Sequence, residues 1–149
     1  MTADLAPADV GWRLAARRVA ASTVPVRRAG LDGQTLPFDD DSYDQVLSTW
    51  SLCTIPDVAA ALREVRRVLR PGGTLRFVEH GLAPDPAVRR WQHRLEPVQQ
   101  RVAGGCHLTR RIVPTLTDAG FSLADVDVFY EPGAPKVLGA LTLGTATSP

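Results

Sequence analysis

The chain has 149 residues, with 17 lysines and arginines against 16 aspartates and glutamates, a formal net charge of +1. That length suits one domain with a continuous core, and a composition 44% hydrophobic and 22% charged excludes a disordered chain. The balanced charge leaves no electrostatic footprint for nucleic acid or an acidic membrane, and no apolar run reaches the ~20 residues of a membrane span. The first residues, Met1 to Pro7, have neither a basic n-region nor an apolar h-region. No signal peptide is therefore expected, and the chain reads as cytoplasmic. Cys53 and Cys106 are too few for a disulfide scaffold and lack the spacing of a metal quartet. Both are expected as reduced thiols, and no metal is expected.

From Pro7 to Ala21, Val10, Leu14, Ala15 and Val19 recur at helical spacing. Val24 to Leu31 reads as a short strand weakened by Pro25. Asp32 to Asp44 is a loop by its Gly, Pro and Asp content. Its run Asp39-Asp40-Asp41 lacks the alternating ligands of a calcium loop and reads as a solvated acidic turn. Gln45 to Leu52 is an apolar run of strand length, suited to a sheet covered on both faces. Pro56 stops it, and Asp57 caps a helix whose apolar stripe is Val58, Ala61, Leu62, Val65, Val68 and Leu69. Pro71-Gly72-Gly73 is expected to end that helix, and Thr74 to His80 to form the next strand. Strand, helix and strand in so few residues is a βαβ unit, which favours a parallel sheet. Pro86 to Val102 and Thr109 to Ala119 read as helices separated by Gly104-Gly105. Ser122 to Tyr130 alternates like a strand with one exposed face. Val137 to Ala146 reads as a last strand, weakened by Gly139 and Gly144.

Three segments in this order carry a family likeness: Asp32-x-x-x-Leu36-Pro37-Phe38-x-x-x-Ser42-Tyr43-Asp44, Leu62-Arg63-Glu64-Val65-Arg66-Arg67-Val68-Leu69-Arg70-Pro71-Gly72-Gly73, and Leu75-Arg76-Phe77-Val78-Glu79-His80. Together they resemble class I S-adenosylmethionine-dependent methyltransferases, in the branch of the ubiquinone and menaquinone methyltransferases. Glu79-His80, Trp91-Gln92, Pro97, Gly105-Cys106 and Thr109-Arg110 are similar to small proteins that include alkyl-thiol methyltransferases. The resemblance implies an α/β fold with a Rossmann-like, mostly parallel sheet. Helices are expected on both faces, with an antiparallel strand pair at the C-terminus.

It also implies a cofactor, S-adenosylmethionine, and roles at matching positions. Asp32 would accept a hydrogen bond from the adenine amino group and Gly33 would offer its N–H to the ring; the plain reading of Asp32 is a turn residue capping Gly33. Thr49, Trp50 and Ser51 would lie beside the methionine part, with burial in the core as the rival role of Trp50. Methyl transfer is an in-line displacement that chiefly needs alignment, and a base only for a weakly acidic nucleophile. Glu79 and His80, ending a strand, would face the substrate as catalytic groups, or simply cap the strand end. Trp91, Cys106, His107 and Arg110 would line a pocket for a small, fairly apolar acceptor. Adjacent Cys106 and His107 do not by themselves make a nucleophile and base pair.

The family begins with a strand and a glycine-rich turn, and nothing before Pro7 matches them. Nor does any residue match the acid that clamps the ribose; Asp4 is the nearby carboxylate. The chain is thus expected to be a single domain over residues 1–149, matching the family from its second strand or the helix after it. Three readings stay open: a methyltransferase with a longer true N-terminus, a non-catalytic module binding a protein partner or apolar ligand, or a minimal enzyme completed by homodimerisation. A sheet edge left by a missing central strand would favour pairing.

Overall fold

The computed structural model describes residues 2–4, 8–29 and 32–149. Within them the order is β1 (Thr2–Asp4), α1 (Ala8–Ala20), β2 (Val26–Arg28), β3 (Tyr43–Thr49), α2 (Val58–Val68), β4 (Leu69–His80), α3 (Pro86–Val102), α4 (Ile112–Asp118), β5 (Ser122–Tyr130) and β6 (Ala140–Thr147). The expected helix start at Pro7 and strand end at Leu31 lie outside the described residues. β1 answers to no expectation, because three residues are too short to show a period. It pairs in parallel with β2, Thr2 opposite Val26.

The larger sheet has the order β3-β4-β6-β5, with β3 and β4 parallel and β6 antiparallel to both of its neighbours. The expected antiparallel pair at the C-terminus is present, and its last strand is the one inserted beside β4. The sheet is mixed in consequence, and among the described residues parallel pairing is confined to β1–β2 and β3–β4.

α2 starts where Asp57 accepts a hydrogen bond from the Ala60 N–H at 2.9 Å. It ends at Val68, before the expected Pro-Gly-Gly stop. Pro71 disfavours helical backbone at Arg70, so the chain turns extended already at Leu69. Gly72, at φ +75°, and Gly73 then run on into β4. The C-terminus secures this stretch: Gly72 N–H donates to Ser148 O at 3.1 Å and Ser148 N–H to Gly73 O at 2.9 Å.

One face of the sheet carries the core. Leu62, Val65 and Val68 of α2 and Ile112 and Leu116 of α4 pack with Leu75 and Phe77 of β4 and Ala146 of β6. On the opposite face Leu47 is 73% and Leu143 45% exposed, while Leu141 is buried. Gly144, which weakened the strand reading of β6, has a packing reason. A Cβ there would stand 2.8 Å from Phe77 Cζ, so glycine makes room for a buried ring. Gly144→Ala should therefore cost about 1–3 kcal/mol of stability, read from urea unfolding. The cost should shrink in a Phe77→Leu background, since contacting sites do not add; equal costs in both backgrounds would contradict the packing account.

Candidate functional site

The C-terminal ends of the parallel strands are where open α/β sheets bind ligands. A cleft of about 1040 Å³ runs along β3 here, within reach of the upper size of ligand pockets. Val19 and Val26 line one side; Thr49, Ser51 and Leu52 line its end beyond β3, with Gly33, Leu36 and Phe38 contributed by the loop. Among the described residues no strand pairs with the outer edge of β3, which borders this cleft.

The loop that borders the cleft is clamped to α2. Arg67 donates to Leu36 O at 2.9 Å, Phe38 O at 2.7 Å and Asp40 Oδ1 at 2.7 Å. Glu64 accepts from Leu36 N–H at 2.9 Å and from Arg67 at 2.8 Å. The Arg67 hydrogen bond, with that of Leu36, holds the Glu64 carboxyl down to about 2, and the same pairing raises the Arg67 pKa.

Beyond β3, the turn hangs on Glu79. Its carboxylate is fully buried and accepts from Ser48 Oγ at 2.6 Å, Ser51 N–H at 3.1 Å and Cys53 N–H at 3.0 Å. Both oxygens are engaged, so it holds the turn. Trp50 crosses that turn at φ +51°, a region a non-glycine residue seldom occupies. Its N–H donates to Val78 O at 2.9 Å, and its half-exposed ring stacks on His80 with centroids 5.5 Å apart.

The segment after α3 closes against the same turn. His107 N–H donates to Cys53 O at 2.9 Å. Its ring lies 2.9 Å from Glu96 Oε1 and 2.8 Å from Gln100 Nε2. Burial pushes the Glu96 pKa up, but the hydrogen bonds of Gln100, His107 and Thr109 outweigh it and the net shift is down. Arg110 donates to Leu52 O and to Ile55 O, the latter at 2.8 Å, and its burial lowers its pKa. Gln92 is fully buried, accepting from Ala83 N–H at 2.9 Å and donating to Gly81 O at 3.0 Å.

The expected site residues thus divide. Gly33, Thr49 and Ser51 meet on the cleft. Asp32 is exposed beside it, its Oδ1 accepting from Gln34 N–H at 2.9 Å as a turn residue would. Trp50 and His80 stack together; Cys106, His107 and Arg110 lie around the turn of Leu52 and Cys53. Trp91 is 57% exposed, its ring under Arg94 at 5.2 Å; its neighbour Gln92 is the buried one. Cys53, expected from the sequence only as a reduced thiol, has its Sγ 3.6 Å from Cys106 Sγ and 3.9 Å from His80 Nδ1. Its partners are remote in sequence, and spacing alone carried no signal for it.

Strand ends, cleft and clamped loops define a Rossmann-like α/β ligand-binding domain. A solved S-adenosylmethionine-dependent methyltransferase of Methanosarcina mazei shares this fold at TM-score 0.72 and 20% identity, over 98% of this chain and 80% of that one. A profile of the methyltransferase domain matches residues 3–77. Thiol S-methyltransferase TMT1B of Rattus norvegicus is 39% identical over 94 residues, covering 62% of this chain and 38% of its own length. Demethylmenaquinone methyltransferase of Roseiflexus castenholzii is 35% identical over 99 residues, 55% of this chain and 42% of its own. The chain belongs to the class I S-adenosylmethionine-dependent methyltransferase family, and it spans less than half the length of these curated relatives.

The family's cofactor is S-adenosylmethionine; the cleft lining offers polar Thr49 and Ser51 beside apolar Leu36 and Phe38, a mixed lining compatible with such a ligand. Among the described residues no helix is long and apolar enough to cross a membrane.

The Glu64–Arg67 clamp predicts an acid dependence. A carboxyl held to about 2 in the fold, against 4.5 ordinarily, contributes stability in full above about pH 4.5 and loses it as pH falls through about 2. Urea midpoints across that window should fall more steeply for the natural chain than for Arg67→Met.

Proposed function

We propose that this chain carries out methyl transfer from S-adenosylmethionine to a small, fairly apolar acceptor, a thiol being the favoured class. The observation that carries this reading is the cleft that runs along β3 to its C-terminal end, where Gly33, Thr49 and Ser51 line it. The likeness to a thiol S-methyltransferase points to the acceptor.

The bound cofactor supplies an electrophilic sulfonium methyl. Asp32 is proposed to accept from the adenine amino group through Oδ2, the oxygen outside its turn, with Gly33 N–H against the ring. Thr49, Trp50 and Ser51 would hold the methionine end, their backbone fixed by Glu79, which serves as a positioning residue. His80, at the end of β4 under the indole of Trp50, is the group to take a proton from an acceptor thiol. Cys106, His107 and Arg110 would shape the acceptor side, with Trp91 at its outer rim.

A second reading, a non-catalytic module binding a protein partner or apolar ligand, is supported by the edge of β3, unpaired among the described residues, and the exposed Leu47.

Isothermal titration with S-adenosylmethionine and S-adenosylhomocysteine separates the two. Saturable binding weakened about 10–100-fold by Asp32→Ala, the range for a charge-assisted hydrogen bond, is expected. No heat at millimolar ligand would leave the module reading, and an unchanged affinity in Asp32→Ala would remove the adenine role.

A further inference from the structure

Cys53, His80 and Cys106 come from three separate segments: the turn after β3, the end of β4 and the loop after α3. Their donor atoms converge, Sγ, Nδ1 and Sγ all within 4.8 Å of one another. The spacings are 3.6 Å between the sulfurs and 3.6 and 3.9 Å from His80 Nδ1 to Cys106 and Cys53. A tetrahedral zinc ion with Zn–S of about 2.3 Å and Zn–N of about 2.05 Å sets edges of about 3.8 Å for S···S and about 3.6 Å for S···N. The observed triangle falls within a few tenths of an ångström of those edges, so a metal could enter with little movement.

The surroundings suit a cation. Both cysteines are buried, 1% and 4% exposed, while His80 is only partly covered. The Cys106 thiol is directed at Cys53 Sγ, and a divalent cation bound between the sulfurs would displace their protons, as metal binding to thiolates releases protons. The indole of Trp50 lies flat on the imidazole at 13° and fixes the ring's orientation. Outer contacts hold the other ligands: Glu79 accepts from Cys53 N–H at 3.0 Å, and Cys53 O accepts from His107 N–H at 2.9 Å.

We propose that Cys53, His80 and Cys106 form a zinc site with a fourth position open to water or a small-molecule donor. Thiolate and imidazole donors select zinc over calcium or magnesium. Three protein ligands with a vacant fourth place are the pattern of reactive zinc rather than of closed structural sites. The ion would staple the turn after β3 and the loop after α3 to the end of β4. This inference stands without the methyl-transfer reading, since it rests on the three donor atoms alone.

The test uses the full chain, reduced, stripped with a chelator and shown by thiol titration to hold two free thiols. Zinc should bind with one-to-one stoichiometry in isothermal titration. Cobalt in its place should give sulfur-to-metal charge-transfer absorption with the intense visible bands of a tetrahedral ion. Cys53→Ser and Cys106→Ser should each weaken zinc by about 100-fold or more, beyond the 10–100-fold typical of outer partners. Failure of the free-thiol protein to bind stoichiometrically, or cobalt spectra without thiolate bands, overturns the site. So does unchanged affinity in both serine variants. A Cys53–Cys106 disulfide forming in air despite equimolar zinc overturns it as well, marking the pair as a redox couple.

Discussion

Everything in this site depends on a carboxylate placed where carboxylates are least at home. Glu79 is fully buried at the end of β4, and burying it uncompensated would be prohibitive. Three donors from the neighbouring strand and turn compensate it: the Ser48 hydroxyl and the N–H groups of Ser51 and Cys53. The constraint works in both directions. The buried carboxyl finds its donors only if the turn after β3 adopts this course, and the turn keeps this course, through a left-handed Trp50, because its N–H groups bond that carboxyl.

From that anchor the remaining parts follow in layers. Ser51 and Thr49 face the cleft on one side of the turn. Cys53 faces inward on the other, where the loop after α3 adds Cys106, His107 and Arg110. Arg110 and His107 bind the turn's backbone rather than its side chains. Their role is therefore to fix where the turn lies, whatever side chains it carries. On the far side of the cleft, Arg67 and Glu64 do the same for the Leu36–Asp40 loop. A fairly small chain thus places two irregular segments beside one cleft by spending charged side chains on backbone groups, which are otherwise costly to leave unpaired.

Much of the fold was legible in the residues, and unevenly so. α3 and β5 run from Pro86 to Val102 and from Ser122 to Tyr130 as read, because Pro at a helix start and glycine breaks mark their ends clearly. The end of α2 was misplaced by a few residues, since the effect of Pro71 reaches back to Arg70. β1 carried too few residues for a pattern. The insertion of β6 between β4 and β5 had no sequence signal, because pairing order is a tertiary property. The inward position of Glu79 was available in principle: it continues the alternation of Leu75 and Phe77, which puts it on the core face. The meeting of Cys53, His80 and Cys106 was not, since their proximity arises only from β3–β4 pairing and the closure of the loop after α3.

The account turns on Glu79 holding the turn, and amide hydrogen exchange in a Glu79→Gln variant tests that directly. Glutamine keeps the shape but presents an NH2 group where an acceptor is needed. The Ser51 and Cys53 amides should then exchange about 10–100-fold faster than in the natural chain, as expected for loss of a buried charged acceptor. The amides of Leu75 and Phe77 should change far less. Unaltered protection at Ser51 and Cys53 would contradict the claim that this carboxylate organises the site.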